Sequence, residues 1–271
     1  MNGELAQVIC LASHGSSWLA QDGHSDPPTL DRDNSTFKFV GSLGFDLAGG
    51  SPGQEAHADT VADWLRRLRD RGTDRLWLVI PEAKPVTGLG QAAGEHMLAG
   101  FANAGRWGLA ATGGRQPEMW RASWSVGDRS APEHRIWSVH YQGAYLDQVV
   151  PQRPDLRSAQ EQLAKALEAA REFAARQNLD TWAGWFERAL AKGRDIPYHP
   201  DMLPPAYPDE AHQLAAMAAQ AWVFGGMGSW NDLGFELRAV EAEYDEVSRN
   251  LYAAVLLALL ASANDGPGVG S

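Results

Sequence analysis

Apolar and polar positions change their rhythm near residue 151. Before it, short apolar runs are separated by polar or glycine-rich breaks. After it, apolar residues recur every three or four positions. The first regime predicts strands mixed with helices, the second amphipathic helices.

In the first regime, residues 7–12 form a short apolar run of strand length. Phe37, Phe39, Leu43, Phe45 and Leu47 keep one alternating phase across Gly41 and Gly44, which predicts one long strand over 36–47 or two bent at a glycine. The glycines and proline of 49–53 predict a turn. Residues 54–71 predict a helix with Val61, Trp64, Leu65 and Leu68 on one face and Gly72 as its C-cap. The unbroken apolar run at 75–80 predicts a strand covered on both faces. A second helix is expected over 89–104 and a short strand over 107–111. Alternation of Trp120, Ala122, Trp124 and Val126, then of Trp137, Val139 and Tyr141, predicts a hairpin over 119–126 and 135–141. Core packing is the ordinary use of so many tryptophans, but a sheet this rich in them can also hold a flat ligand.

In the second regime, Leu156, Leu163, Leu167, Ala170 and Phe173 form one helical stripe. Trp182, Trp185, Phe186 and Leu190 form another within 179–191. The prolines of 196–208 exclude a regular helix there. An alanine-rich helix is expected over 209–224. Leu237, Val240, Tyr244, Val247, Leu251, Val255 and Ala258 mark the last. The expected fold is α+β: an N-terminal mixed β-sheet with two helices, then a C-terminal bundle of about four helices. Residues 1–150 and 151–271 are the expected domains. The short linker at 151–154 leaves open a single integrated domain.

Composition narrows the function. The chain has 271 residues, 44% of them hydrophobic, which suffices for a full core. A formal charge of −11 argues against a protein that grips nucleic acid or anionic lipid. Arg66, Arg67, Arg69 and Arg71 are diluted by Asp63 and Asp70, as on a solvated helix face. The one cysteine, Cys10, sits in an apolar run and reads as a small buried hydrophobe. The first 19 residues lack a positive leader, and the greasiest stretch, 251–261, is too short to span a bilayer. A soluble cytoplasmic protein is expected. The preference for arginine over lysine and the many alanines suggest a GC-rich bacterial genome.

Candidate chemistry centres on the stretch Gly225, Gly226, Met227, Gly228, Ser229, Trp230, Asn231, Asp232. It reads as a helix–helix corner, with glycines ending one helix, Trp230 as a plug and Asn231 or Asp232 capping the next. The same geometry can present backbone amides to an anion, with Ser229, Asn231 and Asp232 orienting it. His14, among Ser13, Ser16 and Ser17, falls at the end of the first expected strand, a common place for ligands in α/β sheets. The glycines of 88–94 are spaced GxGxxxG and follow the strand at a distance, so they make a poor dinucleotide fingerprint. His57 and Asp59 do not share a face if helical. His199 and Asp201 lie in the proline-rich loop near Asp209, Glu210 and His212, where imidazole and carboxylate can converge. No catalytic residue, cofactor or metal site is assigned.

Two function classes follow. The first is a non-enzymatic binding or regulatory protein, taking a small anionic ligand or a protein partner. It would have no nucleic-acid or membrane role, and a homodimer through the helices is possible. The alternative is a small-molecule enzyme, a hydrolase or transferase, with its site between sheet and bundle. That site would draw on 225–232 with His14 or His199.

Overall fold

The computed structural model describes residues 1–21, 25–48, 57–81, 94–194 and 201–267. Six strands form one mixed sheet in the order β2-β1-β6-β5-β4-β3. They are β1 (Val40–Ala48), β2 (His57–Ala58), β3 (Arg75–Val79), β4 (Gly108–Thr112), β5 (Glu118–Val126) and β6 (Trp137–Tyr145). β1 runs parallel to β6, and every other neighbouring pair is antiparallel. Helices α1 (Gly3–Leu19), α2 (Val61–Asp70) and α3 (Glu95–Leu98) accompany the sheet. Four more follow: α4 (Leu156–Arg176), α5 (Asp180–Lys192), α6 (Asp209–Ala221) and α7 (Arg238–Asn264). The α+β class and the four C-terminal helices are as the apolar rhythm predicts.

The first element is not. Residues 7–12 lie inside α1 and form no strand. Asn2 caps the helix, its side-chain oxygen accepting from the Glu4 amide at 2.8 Å. α1 is buried on nearly every side, from Leu5 to Trp18. A helix without a wet face carries no 3.6-residue alternation, so its apolar run is indistinguishable from a strand. The N-terminal half therefore has three helices, one of them a single turn, where two were expected.

Three smaller corrections have local causes. The register slips between Val40 and Ser42, so the phase expected to continue through Gly41 breaks there and Phe39 is left 47% exposed. A Cβ at Gly41 would stand 2.2 Å from the Arg135 carbonyl oxygen, so only glycine fits. The helix expected from 54 starts at Val61, because Thr60 caps it through the Asp63 amide and His57–Ala58 pairs with β1 instead. Of the helix expected over 89–104, only Glu95–Leu98 is helical among the described residues. Residues 89–93, the turn at 49–53 and most of the 88–94 glycine motif lie outside them.

The hairpin of β5 and β6 forms in the expected place, pairing Trp124 with Val139 and Val126 with Trp137. Its inner part is covered. Phe45 stacks on Trp64 of α2 and on Tyr141, and Trp120 meets Trp64 edge-on. The Tyr141 hydroxyl donates to Gln7 of α1 at 2.8 Å. One buried apolar cluster runs from α1 through the sheet to α7.

The outer edge of β3 is closed by side chains. The Ser16 hydroxyl donates to the Leu76 carbonyl at 2.6 Å and accepts from its amide at 3.0 Å. The Asn264 carboxamide accepts from the Leu78 amide and donates to its carbonyl, both at 2.9 Å. A serine and an asparagine thus stand where a seventh strand would pair. Gly15 lets α1 come close, since a Cβ there would meet Leu76 Cδ1 at 2.5 Å. α7 is the one described helix long and apolar enough by length and composition to cross a membrane, and most of that window is buried in the fold.

Candidate ligand site

Between the sheet and the helices lies a cavity of about 740 Å³. Four parts of the chain wall it: the loop end of the β5–β6 hairpin, the start of α1 with residues 99–102, the first turns of α5, and the segment after α6.

The aromatic wall follows from the fold. Trp124 and Trp137 stand beyond the stretch of sheet that Trp64 and Tyr141 cover, with ring centroids 5.9 Å apart and edge to face. Trp182 and Trp185 are three residues apart on α5 and so share a face. The Trp185 indole donates to the Gln220 carbonyl at 2.6 Å, which ties α5 to the end of α6. Trp222 donates to the Phe224 carbonyl at 2.6 Å and packs edge-on against that ring. All five tryptophans and Phe224 line the cavity.

One carboxylate enters this wall. Glu4, in the first turn of α1, lines the cavity while only 7% exposed. Its Oε1 accepts from the Asn103 amide at 2.8 Å. Burial pushes its pKa above the usual carboxylate range, and the Asn103 bond pulls the other way. Asn103 holds a left-handed backbone, φ 61°, which asparagine tolerates better than most residues. Its carboxamide also grips Trp124, accepting from the amide at 2.7 Å and donating to the carbonyl at 2.8 Å. A single asparagine therefore sets both the carboxylate and one of the tryptophans. Among the described residues no lysine, arginine or histidine side chain lines the cavity.

The structure divides the residues singled out at 225–232. Gly225, Gly228 and Ser229 line the cavity. Gly226 borders open space, and Asp232 is exposed, accepting from the Gly228 amide. Trp230 is fully buried among Phe173, Trp182, Phe186 and Tyr244, and its indole donates to Ser248 at 2.7 Å. It plugs the bundle. Asn231 is also buried and donates to the His96 carbonyl at 2.9 Å. The glycines have distinct causes. Gly228 has φ +81°, a conformation that other residues resist. At Gly225 the backbone is pressed by Gly100, where a Cβ would stand 2.5 Å from the Gly225 carbonyl.

His14 is not part of this site. It sits eleven residues along α1 from Gly3, about 16 Å at the rise of a helix. Burial pushes its pKa down to about 4 against the opposing field of Asp201. Cys10, one turn earlier, is fully buried, and its thiol is pushed up to about 12 by that burial. Both groups are held neutral, the reverse of what a thiolate–imidazolium pair needs. His199 lies outside the described residues.

A polar cluster that helical spacing hides lies on the other edge of the sheet. Asp46 takes His57 Nδ1 on one oxygen at 2.7 Å and His140 Nε2 on the other at 2.6 Å, and His57 Nε2 reaches Asp59 at 2.7 Å. Gly44 leaves room for both rings. Hydrogen bonds that His57 donates to Asp59 and Asp46 raise its pKa. Partial burial would raise that of Asp46, but its two histidine partners outweigh this and lower it. His57 and Asp59 meet because 57–58 is a strand, not the expected helix. Among the described residues no group of three or more His, Cys, Asp or Glu side chains is placed to hold a metal ion.

No family model matches the chain, and no curated protein or solved structure is significantly similar to it.

Proposed function

We propose that this chain is a non-enzymatic binding protein that takes a small molecule into the tryptophan-lined cavity. The observation that carries this reading is the convergence of five tryptophans, from the hairpin, α5 and the segment after α6, on one space of about 740 Å³. That volume suits a small organic ligand, and aromatic walls with a few polar groups are the usual lining of such sites.

The alternative, a hydrolase or transferase between sheet and helices, has less support. Glu4 is the one acidic or basic side chain in the described lining. The Ser229 hydroxyl donates to the Gly225 carbonyl at 3.2 Å, with no base beside it. A second binding reading is a protein partner that seats a side chain in the cavity. The exposed Phe101, Val126 and Met227, each a chain neighbour of a lining residue or close to one, favour it.

The test is tryptophan fluorescence and thermal shift of the full chain against apolar-ring compounds that are neutral, cationic or anionic. Saturable quenching that is lost in Trp185→Leu, with the fold kept, is the expected result. A panel that neither quenches nor stabilises the protein at millimolar concentration would sink the small-molecule reading.

A further inference from the structure

Resting on that reading, we infer that the cavity selects a small organic cation, an alkylated ammonium on an apolar frame, with Glu4 as its counter-charge. Three observations point the same way. The first is the wall itself. Tryptophan presents the most electron-rich face of the aromatic side chains, and several around one space attract a weakly hydrated cation. The second is charge. Glu4 lines the cavity, and the one basic group in the described lining is the Met1 α-amino group, which burial pushes toward its neutral form and which makes no ion pair with Glu4. The start of α1 brings roughly half a positive charge to the same end, which the whole charge of an ionised Glu4 exceeds once the Met1 amine has lost its proton. The third is fixation. Glu4 is held through one oxygen by the Asn103 amide, and the same asparagine clamps Trp124 from the other side. The carboxylate and the backbone that carries the indole are thus both held by one asparagine before any ligand arrives, which lowers the cost of binding. An anion would meet Glu4 with only the Met1 α-amino group, which burial pushes toward its neutral form, to offset it, so the anionic ligand expected from the glycine corner is disfavoured here.

The burial that raises the Glu4 pKa adds a signature. A cation requires the carboxylate and is repelled by a protonated Met1 amine, so its affinity rises with pH as Glu4 and then Met1 lose their protons, and then levels off. A neutral ligand has no such dependence.

The experiment is a fluorescence titration of the full chain with three probes of one shape class: benzyltrimethylammonium, its neutral isostere neopentylbenzene, and phenylacetate. The cation is expected to bind about tenfold tighter than the neutral isostere at pH 7.5. That margin is expected to shrink toward pH 4 and to fall several-fold in Glu4→Gln, whose amide oxygen can still accept from Asn103, leaving only the part the tryptophan faces supply. In that variant the cation-to-neutral ratio, and not either affinity alone, is the readout. If Glu4→Gln does not fold, the cation-to-neutral ratio of the unaltered chain and its pH dependence decide alone. Equal affinities, a pH-independent ratio, or tightest binding of phenylacetate would overturn the inference and leave the cavity a binding site of other selectivity. Failure of all three probes would overturn both it and the binding reading.

Discussion

Gly100, Gly226 and Gly228 lie within one small region and are glycine for different reasons. Gly100 is glycine because the Gly225 backbone occupies the place of its Cβ, and Gly228 because of its backbone angle. Gly226 meets neither constraint. Gly100→Ala is expected to cost about 1–3 kcal/mol by forcing two backbones apart. Gly228→Ala should cost about 1 kcal/mol. Gly226→Ala should leave stability unchanged or raise it by about 0.5 kcal/mol. Urea melts of the three variants check the order, and a Gly226→Ala cost equal to that of Gly100→Ala would refute it. His14 carries a prediction of its own. Its folded pKa of about 4 lies below the ordinary 6.5, so the unfolded chain takes the proton first. Stability is therefore full above pH 6.5 and falls as pH drops toward 4. Between pH 7 and 4.5 His14→Gln should remove on the order of 2 kcal/mol of that loss. Part of the slope should remain, because burial lowers the His96 pKa in the same direction.

The elements show which signals a sequence carries. Helices α4, α5 and the first half of α7, and the hairpin, were legible because each has one wet and one dry face, so period and burial agree. α6, mostly buried, was legible from its length and alanine content between the prolines and the glycines. α1 was not, because burial on all sides erases the period that separates helix from strand. β2 was lost for another reason. Two residues make no pattern, and its pairing depends on Asp46 and Phe45, more than ten positions away. The candidate site was half legible. Gly225, Gly228 and Ser229 could be marked from local composition, and the hairpin tryptophans as a possible flat-ligand surface. Trp182 and Trp185 read as ordinary stripe residues, since nothing local tells that α5 begins where the sheet's cover ends. Glu4 and Asn103 carried no signal at all. Their meeting is a contact across 99 positions, made possible by a left-handed asparagine that composition does not announce.

At the scale of the molecule, the two halves meet through α1 and α7, and the side chains that close the edge of β3 belong to those two helices. Asn264→Ala leaves the Leu78 amide and carbonyl buried without partners. A loss of about 2–4 kcal/mol is expected, with concentration-dependent aggregation on mild heating that the unaltered chain lacks. Light scattering during a melt checks this, and a variant that melts cleanly would show that the edge is protected by other means. The arrangement also sets a clock. Ser16 reaches the ribosome's exit before β3, but Asn264 follows Leu78 by 186 residues. At ordinary rates of synthesis that gap lasts roughly 10–40 s. During it the nascent sheet has a half-finished border, so the newborn chain depends on dilution or a chaperone until its last helix can dock.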